Sequence, residues 1–210
     1  MKGDVGEIWN SLKFGETVLI EHDSYTSPAL WVYYLIKWAK GKGYDVLVDD
    51  ILDTLYVYRV HLKLAGLDTS ILNDVKVIKL GGRLNVGQVV GHLRIKEPVI
   101  RESEYRALLD SLPRERVINP VLGFEKLFLL VESEREVFEL VNSISSFIED
   151  DRRIAFYFIN TDLLKKMPHV SSLLEELAST VVRVTKHGRS FSLKVVKSVN
   201  DEIDGVEVSM

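Results

Sequence analysis

The amino-acid sequence predicts an α/β fold built on a mostly parallel sheet. Three observations carry that expectation. In the first half of the chain, strand-like and helix-like segments alternate, with connections of crossover length. The first strand-like segment, Thr17–Glu21, is a continuous apolar run of the kind buried on both faces. Near the end of the chain, Thr180–Thr185 and Phe191–Val196 are separated only by Lys186-His187-Gly188-Arg189, which predicts an antiparallel hairpin.

Taken in order, Val5–Lys13 reads as a short amphipathic helix through Val5, Ile8, Trp9 and Leu12, with Gly15 as its stop. The Thr17–Glu21 strand follows. Ser27-Pro28 then predicts a helix start, with serine as the N-cap and proline at the first helical position. That helix runs to Gly41 and ends among Lys37, Lys40 and Lys42, where the helix dipole favours cations. Tyr44–Val48 is the second strand. Ile51–Ala65 is a helix through Leu55, Tyr58, Leu62 and Ala65, stopped by Gly66, and Val75–Leu80 is the third strand.

Gly81-Gly82 marks a turn, and Val86–Ile95 looks extended and able to pair as a local hairpin. Arg101–Leu112 is an amphipathic helix, Arg116–Val121 a strand, Phe124–Leu130 a short helical piece and Glu134–Ile148 a helix. Ile154–Ile159 is a strand, and helical turns from Asp162 lead into Val170–Ala178. No repeat or linker divides residues 1–210, which read as one domain with a frayed tail over 200–210.

Composition narrows the function classes. A net charge of −4 and the lack of a basic stripe give nucleic-acid binding no electrostatic support. No apolar run approaches the roughly 18–20 residues of a membrane span, and the opening MKGDVGEIWNSLKFGE has no signal-like apolar core, so a cytoplasmic location is expected. Without cysteine there is neither a disulfide framework nor a cysteine-ligated zinc. High charge with a single glutamine, Gln88, is a thermophile tendency.

The stretch "GETVLIEHDSYTSPALWVYYLIKWAKGKGYDVLVDD" resembles the first strand, phosphate loop, first helix and second strand of the RecA-like ATPase core, in its KaiC-like branch. "FSLKVVKSVND" is similar to that family's closing strands. The whole also resembles a small uncharacterised archaeal family. The resemblance implies a RecA-like sheet, and the departures from it bear on function. A phosphate loop reads G-x-x-x-x-G-K-[ST]; its amides cradle the phosphates, its lysine reaches the terminal ones and its hydroxyl binds magnesium. Here His22 and Ser27 stand at the glycine positions, Asp23 and Ser24 between them, Pro28 at the lysine and Ala29 at the hydroxyl. Near the place of the family's magnesium-binding aspartate stands Asn119, a poor ligand for a hard cation. The turn is therefore expected to be rebuilt as a self-capped helix start without P-loop hydrolysis, and no cofactor is implied.

The remaining site candidates are acidic. Glu21, Asp23, Asp49, Asp50 and Asp53 follow or end the first two strands, where open α/β sheets bind ligands. Together they could hold magnesium or act as acid and base; singly they are solvated caps, with Asp49 or Asp50 a natural N-cap for the next helix. Capping is the commoner role, so no metal site is expected. The five histidines show no ligand spacing, and no serine lies in a G-x-S-x-G elbow. Trp31, Tyr33, Tyr34, Trp38, Tyr56 and Tyr58 read as core first and interface second. The expected role is a non-hydrolysing module that binds a protein partner or a second copy of itself. The alternative is a ligand-binding protein or magnesium-dependent enzyme using the acidic strand ends.

Overall fold

The computed structural model describes residues 5–95, 98–112, 116–148 and 150–209. Among them, nine strands form one sheet: β1 (Thr17–His22), β2 (Asp45–Ile51), β3 (Lys76–Leu80), β4 (Gln88–Leu93), β5 (Val117–Leu122), β6 (Arg153–Asn160), β7 (Thr180–His187), β8 (Ser190–Ser198) and β9 (Glu207–Ser209). Their order is β4-β3-β2-β5-β6-β1-β7-β8-β9. Pairing is parallel from β4 across to β7, and antiparallel for β7–β8 and β8–β9. The predicted mixed sheet with its C-terminal hairpin is the observed one. β1 is central because its residues are apolar towards both faces, and all six are buried.

Among the described residues, six α-helices cover the sheet: α1 (Val5–Ser11), α2 (Ala29–Gly41), α3 (Thr54–Leu64), α4 (Pro98–Ser111), α5 (Glu134–Ser145) and α6 (Pro168–Leu177). The first three pack on one face, where Trp31, Leu35, Ile36, Leu55 and Leu62 meet Val18, Ile20, Val48 and Phe156. On the other face α5 and α6 contribute Val137, Leu140, Val170 and Leu174 against Leu19, Ala155 and Tyr157. α4 lies beside β4, where Leu108 comes so close to Gly91 that a β-carbon there would sit 2.2 Å from it. Of the aromatic group on α2 and α3, Trp31 is buried, while Tyr33, Trp38, Tyr56 and Tyr58 pack against the core from partly buried positions.

Two expectations are corrected. The Val86–Ile95 segment does not fold back as a hairpin: β4 runs parallel to β3 after only the seven residues 81–87, with no helix between. That short crossover is held by polar contacts described below. The tail is not frayed over 200–209: Asn200–Gly205 turns, β9 pairs with β8, and Ile203 and Val208 are buried at 4% and 2% exposure. Two apolar side chains facing the core hold an otherwise polar segment down. The edge beside the hairpin is therefore β9, not the hairpin itself.

Candidate functional site

The turn between β1 and α2 stands at the carboxyl edge of the sheet. His22 ends β1, and its Nδ1 lies 2.8 Å from the Asp23 carbonyl, so that nitrogen carries the proton. Burial lowers the pKa of the ring, and its Nε2 has no partner. Asp23 acts within the turn: its Oδ1 accepts the Tyr25 N–H at 3.0 Å. The Ser24 N–H donates to Asp162 Oδ2 at 2.9 Å, and Asn160 Nδ2 donates to Ser24 Oγ at 3.1 Å. Thr161 Oγ1 donates to the His22 carbonyl at 3.2 Å. Three consecutive residues at the end of β6 thus latch the turn.

Asp162 is held ionised. Its ion pair with Lys165 and then the Ser24 N–H draw its pKa down to about 2. A negative oxygen therefore occupies the Ser24 N–H.

The expected self-cap is absent. α2 begins at Ala29, and Pro28 is the residue at the cap position, its carbonyl accepting the Val32 N–H at 3.0 Å. Proline has no side-chain oxygen, and Ser27 falls one residue too early to reach the free N–H groups of the first turn. The Ser27 hydroxyl turns instead to His61 Nδ1 on α3, at 3.4 Å.

The five acidic residues do not gather at one site; of them only Asp50 and Asp53 meet, on Lys79. Glu21 is buried and pairs with Arg183 Nε at 2.9 Å; burial pushes its pKa up to about 7 against that pull. Asp23 stays in its own turn. Asp49 and Asp50 are neighbours on a strand, so they project to opposite faces of the sheet. Asp50 Oδ1 accepts the Leu55 N–H of α3 at 2.9 Å, so it does cap that helix, but from within β2.

The other Asp50 oxygen accepts from Lys79 Nζ at 2.7 Å. Lys79 also donates to Asp53 and, at 2.9 Å, to the Leu84 carbonyl. Burial opposes its charge, but the bonds to Asp50 and Asp53 outweigh it and raise its pKa. Asp53 Oδ1 accepts the Leu84 N–H at 2.9 Å and Oδ2 the Arg83 N–H at 2.8 Å. Gly82, with φ +75°, lets the chain pass, since a β-carbon there would lie 2.2 Å from the Asp53 carboxylate. This polar knot fastens the crossover from β3 to β4.

On the opposite face, Asp49 Oδ2 accepts from Tyr105 Oη of α4 at 2.7 Å and from Asn119 Nδ2 of β5 at 3.2 Å. Arg153 Nη1 donates to Asn119 Oδ1 at 2.7 Å and to Tyr105 Oη at 3.2 Å. Burial raises the Asp49 pKa to about 6. Asn119, compared above with a magnesium aspartate, is buried in mid-strand with its amide committed to Asp49, Arg153 and the Leu47 carbonyl. Among the described residues, no group of three histidine, aspartate or glutamate side chains is placed to hold a metal ion.

Sequence reasoning does not single out Lys79, Tyr105, Arg153 or Asp162. Lys79 in "VIKL" carries a signal, because one cation inside an apolar strand demands a buried partner. Asp162 carries none, since its link to Ser24 spans 138 residues.

Comparisons fit this picture. A protein from Pyrococcus horikoshii OT3, solved as project PH0250, shares 37% identity over 96% of each chain with a TM-score of 0.86. The flagellar accessory protein FlaH from Methanocaldococcus jannaschii superposes with a TM-score of 0.62 at 13% identity, over 99% of this chain and 89% of that one. The KaiC-like protein PH0186 from Pyrococcus horikoshii OT3 gives 0.60 at 11% identity, over 92% and 83%. These two establish the RecA-like fold and nothing further. Among curated proteins, none matches the chain. One family model spans residues 7–209, and the chain belongs to that family, described as Pyrococcus protein of unknown function, DUF257.

Proposed function

We propose that this chain is a non-hydrolysing RecA-like module that acts by binding a protein partner or a second copy of itself. The observation that carries the reading is the Ser24 N–H to Asp162 bond. It sets an ionised carboxylate where a phosphate would need a donor, and Pro28 and Ala29 supply neither the cation nor the hydroxyl of a P-loop. The scattered acids argue against the rival magnesium enzyme. A surface role is supported by large exposed apolar side chains: Tyr25 on the turn, Leu64 at the end of α3, Leu129 and Leu130 after β5, and Phe138 on α5.

The test is calorimetric titration of purified protein with Mg-ATP, paired with light scattering over a dilution series. No saturable heat is expected, together with a mass above one chain that Phe138→Glu lowers, or a single-chain mass if the partner is a different protein. Saturable Mg-ATP binding that a change at residues 22–29 abolishes overturns the reading.

A further inference from the structure

We propose that the cavity at the amino edge of the sheet, between α1, α2 and the starts of β2, β5 and β6, binds a planar aromatic carboxylate. This goes beyond the interaction role above and does not depend on it. The site lies at the end of the strands opposite to the Ser24 turn.

Its position follows from chain order. Tyr44 and Arg116 stand immediately before β2 and β5, Phe14 stands in the turn before β1, and Ile154 is the second residue of β6. Parallel pairing of these four strands gathers those residues at one edge. Asn10 of α1 and Trp38 of α2 complete the ring of side chains. The cavity has a volume of about 450 Å³. That is within the roughly 300–1,000 Å³ of small-molecule pockets, and well above the ~150 Å³ that holds one benzene, so a fused two-ring body fits.

The walls are aromatic. Trp9, Leu12 and Ile154 are buried and back the cavity from the core side. Phe14, Tyr44 and Trp38 are only partly buried. Phe14 meets Tyr44 edge-on with ring centroids 5.4 Å apart, and Tyr44 meets Trp38 at 5.9 Å. Rings left partly open beside a space of this size keep apolar surface that another planar ring can cover.

The polar lining groups are donors. Among the described lining residues there is no acid, although the chain as a whole carries a net charge of −4. Asn10 Oδ1 accepts from Trp38 Nε1 at 3.1 Å, which leaves the Asn10 Nδ2 group to donate. The Arg116 guanidinium lies over the Phe14 ring at 5.0 Å, and a guanidinium stacked in this way still offers its N–H fork to a carboxylate. Lys42 and Arg116 are both exposed at the mouth, and among the described residues neither has an ion-pair partner. Two cations and an amide donor without an acid select an anion, and the rings select a flat one.

The helices set the charge of that anion. Both α1 and α2 line the cavity from their last turns, and Lys42 is the C-cap of α2. Phosphate sites draw on helix N-termini, whereas a helix C-terminus carries the negative end of the dipole. The field here suits one negative charge held by Lys42 and Arg116, and it opposes a second. A carboxylate meets that condition and a phosphate dianion does not.

The experiment uses the full chain and 2-naphthoate at pH 7, with three matched probes: 2-naphthalenemethanol without the charge, decalin-2-carboxylate without the aromatic ring, and 2-naphthyl phosphate with the second charge. Calorimetry gives the affinities, and the Trp38 indole N–H resonance reports the place of binding. Naphthoate is expected to bind at least tenfold more tightly than each of the three and to shift the Trp38 resonance. Lys42→Gln with Arg116→Gln changes two exposed side chains, so the fold should persist; it should remove the preference over the alcohol. Trp38→Leu should weaken naphthoate and the alcohol together. No binding, equal binding of naphthoate and any of the three probes, tighter binding of the phosphate, a Trp38 resonance that does not move, or an affinity unchanged by the double substitution overturns the assignment.

Discussion

Asp50 and Lys79 stand side by side in the parallel register of β2 and β3, and their side chains close a 2.7 Å ion pair that neither shares with solvent. The pair does more than neutralise itself. Asp50 caps α3, and Lys79 reaches Asp53 and the Leu84 carbonyl, so one buried cation ties a helix start and a strand crossover to the sheet.

Removing one partner should therefore cost far more than removing both. Lys79→Met leaves the buried Asp50 charge uncompensated and should destabilise the protein by roughly 3–5 kcal/mol. The double variant Lys79→Met with Asp50→Asn should recover a measurable part of that loss, because the uncompensated charge is gone. Urea melts of the three proteins decide it; a single-variant loss below about 1 kcal/mol would show the pair to be dispensable.

Two serines that precede helices should behave differently. Ser133 caps α5, its Oγ accepting the Glu136 N–H at 3.3 Å, while Ser27 makes no cap bond to α2. Ser133→Ala should cost about 1 kcal/mol, and Ser27→Ala less than about 0.5 kcal/mol. Equal losses in denaturant melts would restore a capping role for Ser27.

The pH dependence of stability should expose Glu125. It sits in the 3-10 turn Phe124–Leu129 at 4% exposure, Oε2 has no partner, and burial raises its pKa to about 7. An unfolded glutamate titrates near about 4.3, so between these values the native state binds more protons than the unfolded one. Stability from this group is then greatest at low pH and falls as pH rises through that window. Glu21 and Asp49, raised to about 7 and about 6, act with the same sign. Glu125→Gln isolates one contribution. Relative to wild type, it should gain on the order of 2–3 kcal/mol between about pH 4.5 and about pH 8. A constant difference across that range would contradict the buried-acid account.

What the sequence made legible was the part governed by local pattern. Thr17–His22 and Arg153–Asn160 are strands because apolar runs bounded by turns have no other economical burial, and the hairpin followed from β-rich runs flanking Gly188. The separation of Asp49 from Asp50 was also within reach, since a period of two sends neighbours to opposite faces. Three features were not. The parallel entry of β4 depends on Lys79 and Asp53 gripping residues 83 and 84, the latch on Ser24 depends on Asp162, and the hydrogen bonding of buried Asp49 depends on Tyr105 donating from α4. Each is a long-range polar contact, and no local propensity encodes it.

The C-terminal segment offers the sharpest contrast between composition and packing. Residues 200–210 are mostly polar and carry several acids, which alone would predict disorder. Yet Val208 stands opposite Leu193 across β8 and β9, the Val195 N–H donates to the Val206 carbonyl at 2.9 Å, and Ile203 is buried under the turn. Burial of an aliphatic side chain contributes roughly 1.5–3 kcal/mol, an upper figure because the unfolded chain already hides some of it. Deleting residues 200–210 should therefore lower stability by about 3–5 kcal/mol and turn β8 into an exposed edge prone to pairing with other chains. Deleting 180–210 should be worse in kind, because β7 pairs directly with the central strand β1 and its loss opens the core; insoluble protein is the expected outcome. Thermal melts and sedimentation of the two truncations against the full chain make the comparison. A 1–199 protein that melts with the full chain would mean that β9 contributes nothing and that the tail is free after all.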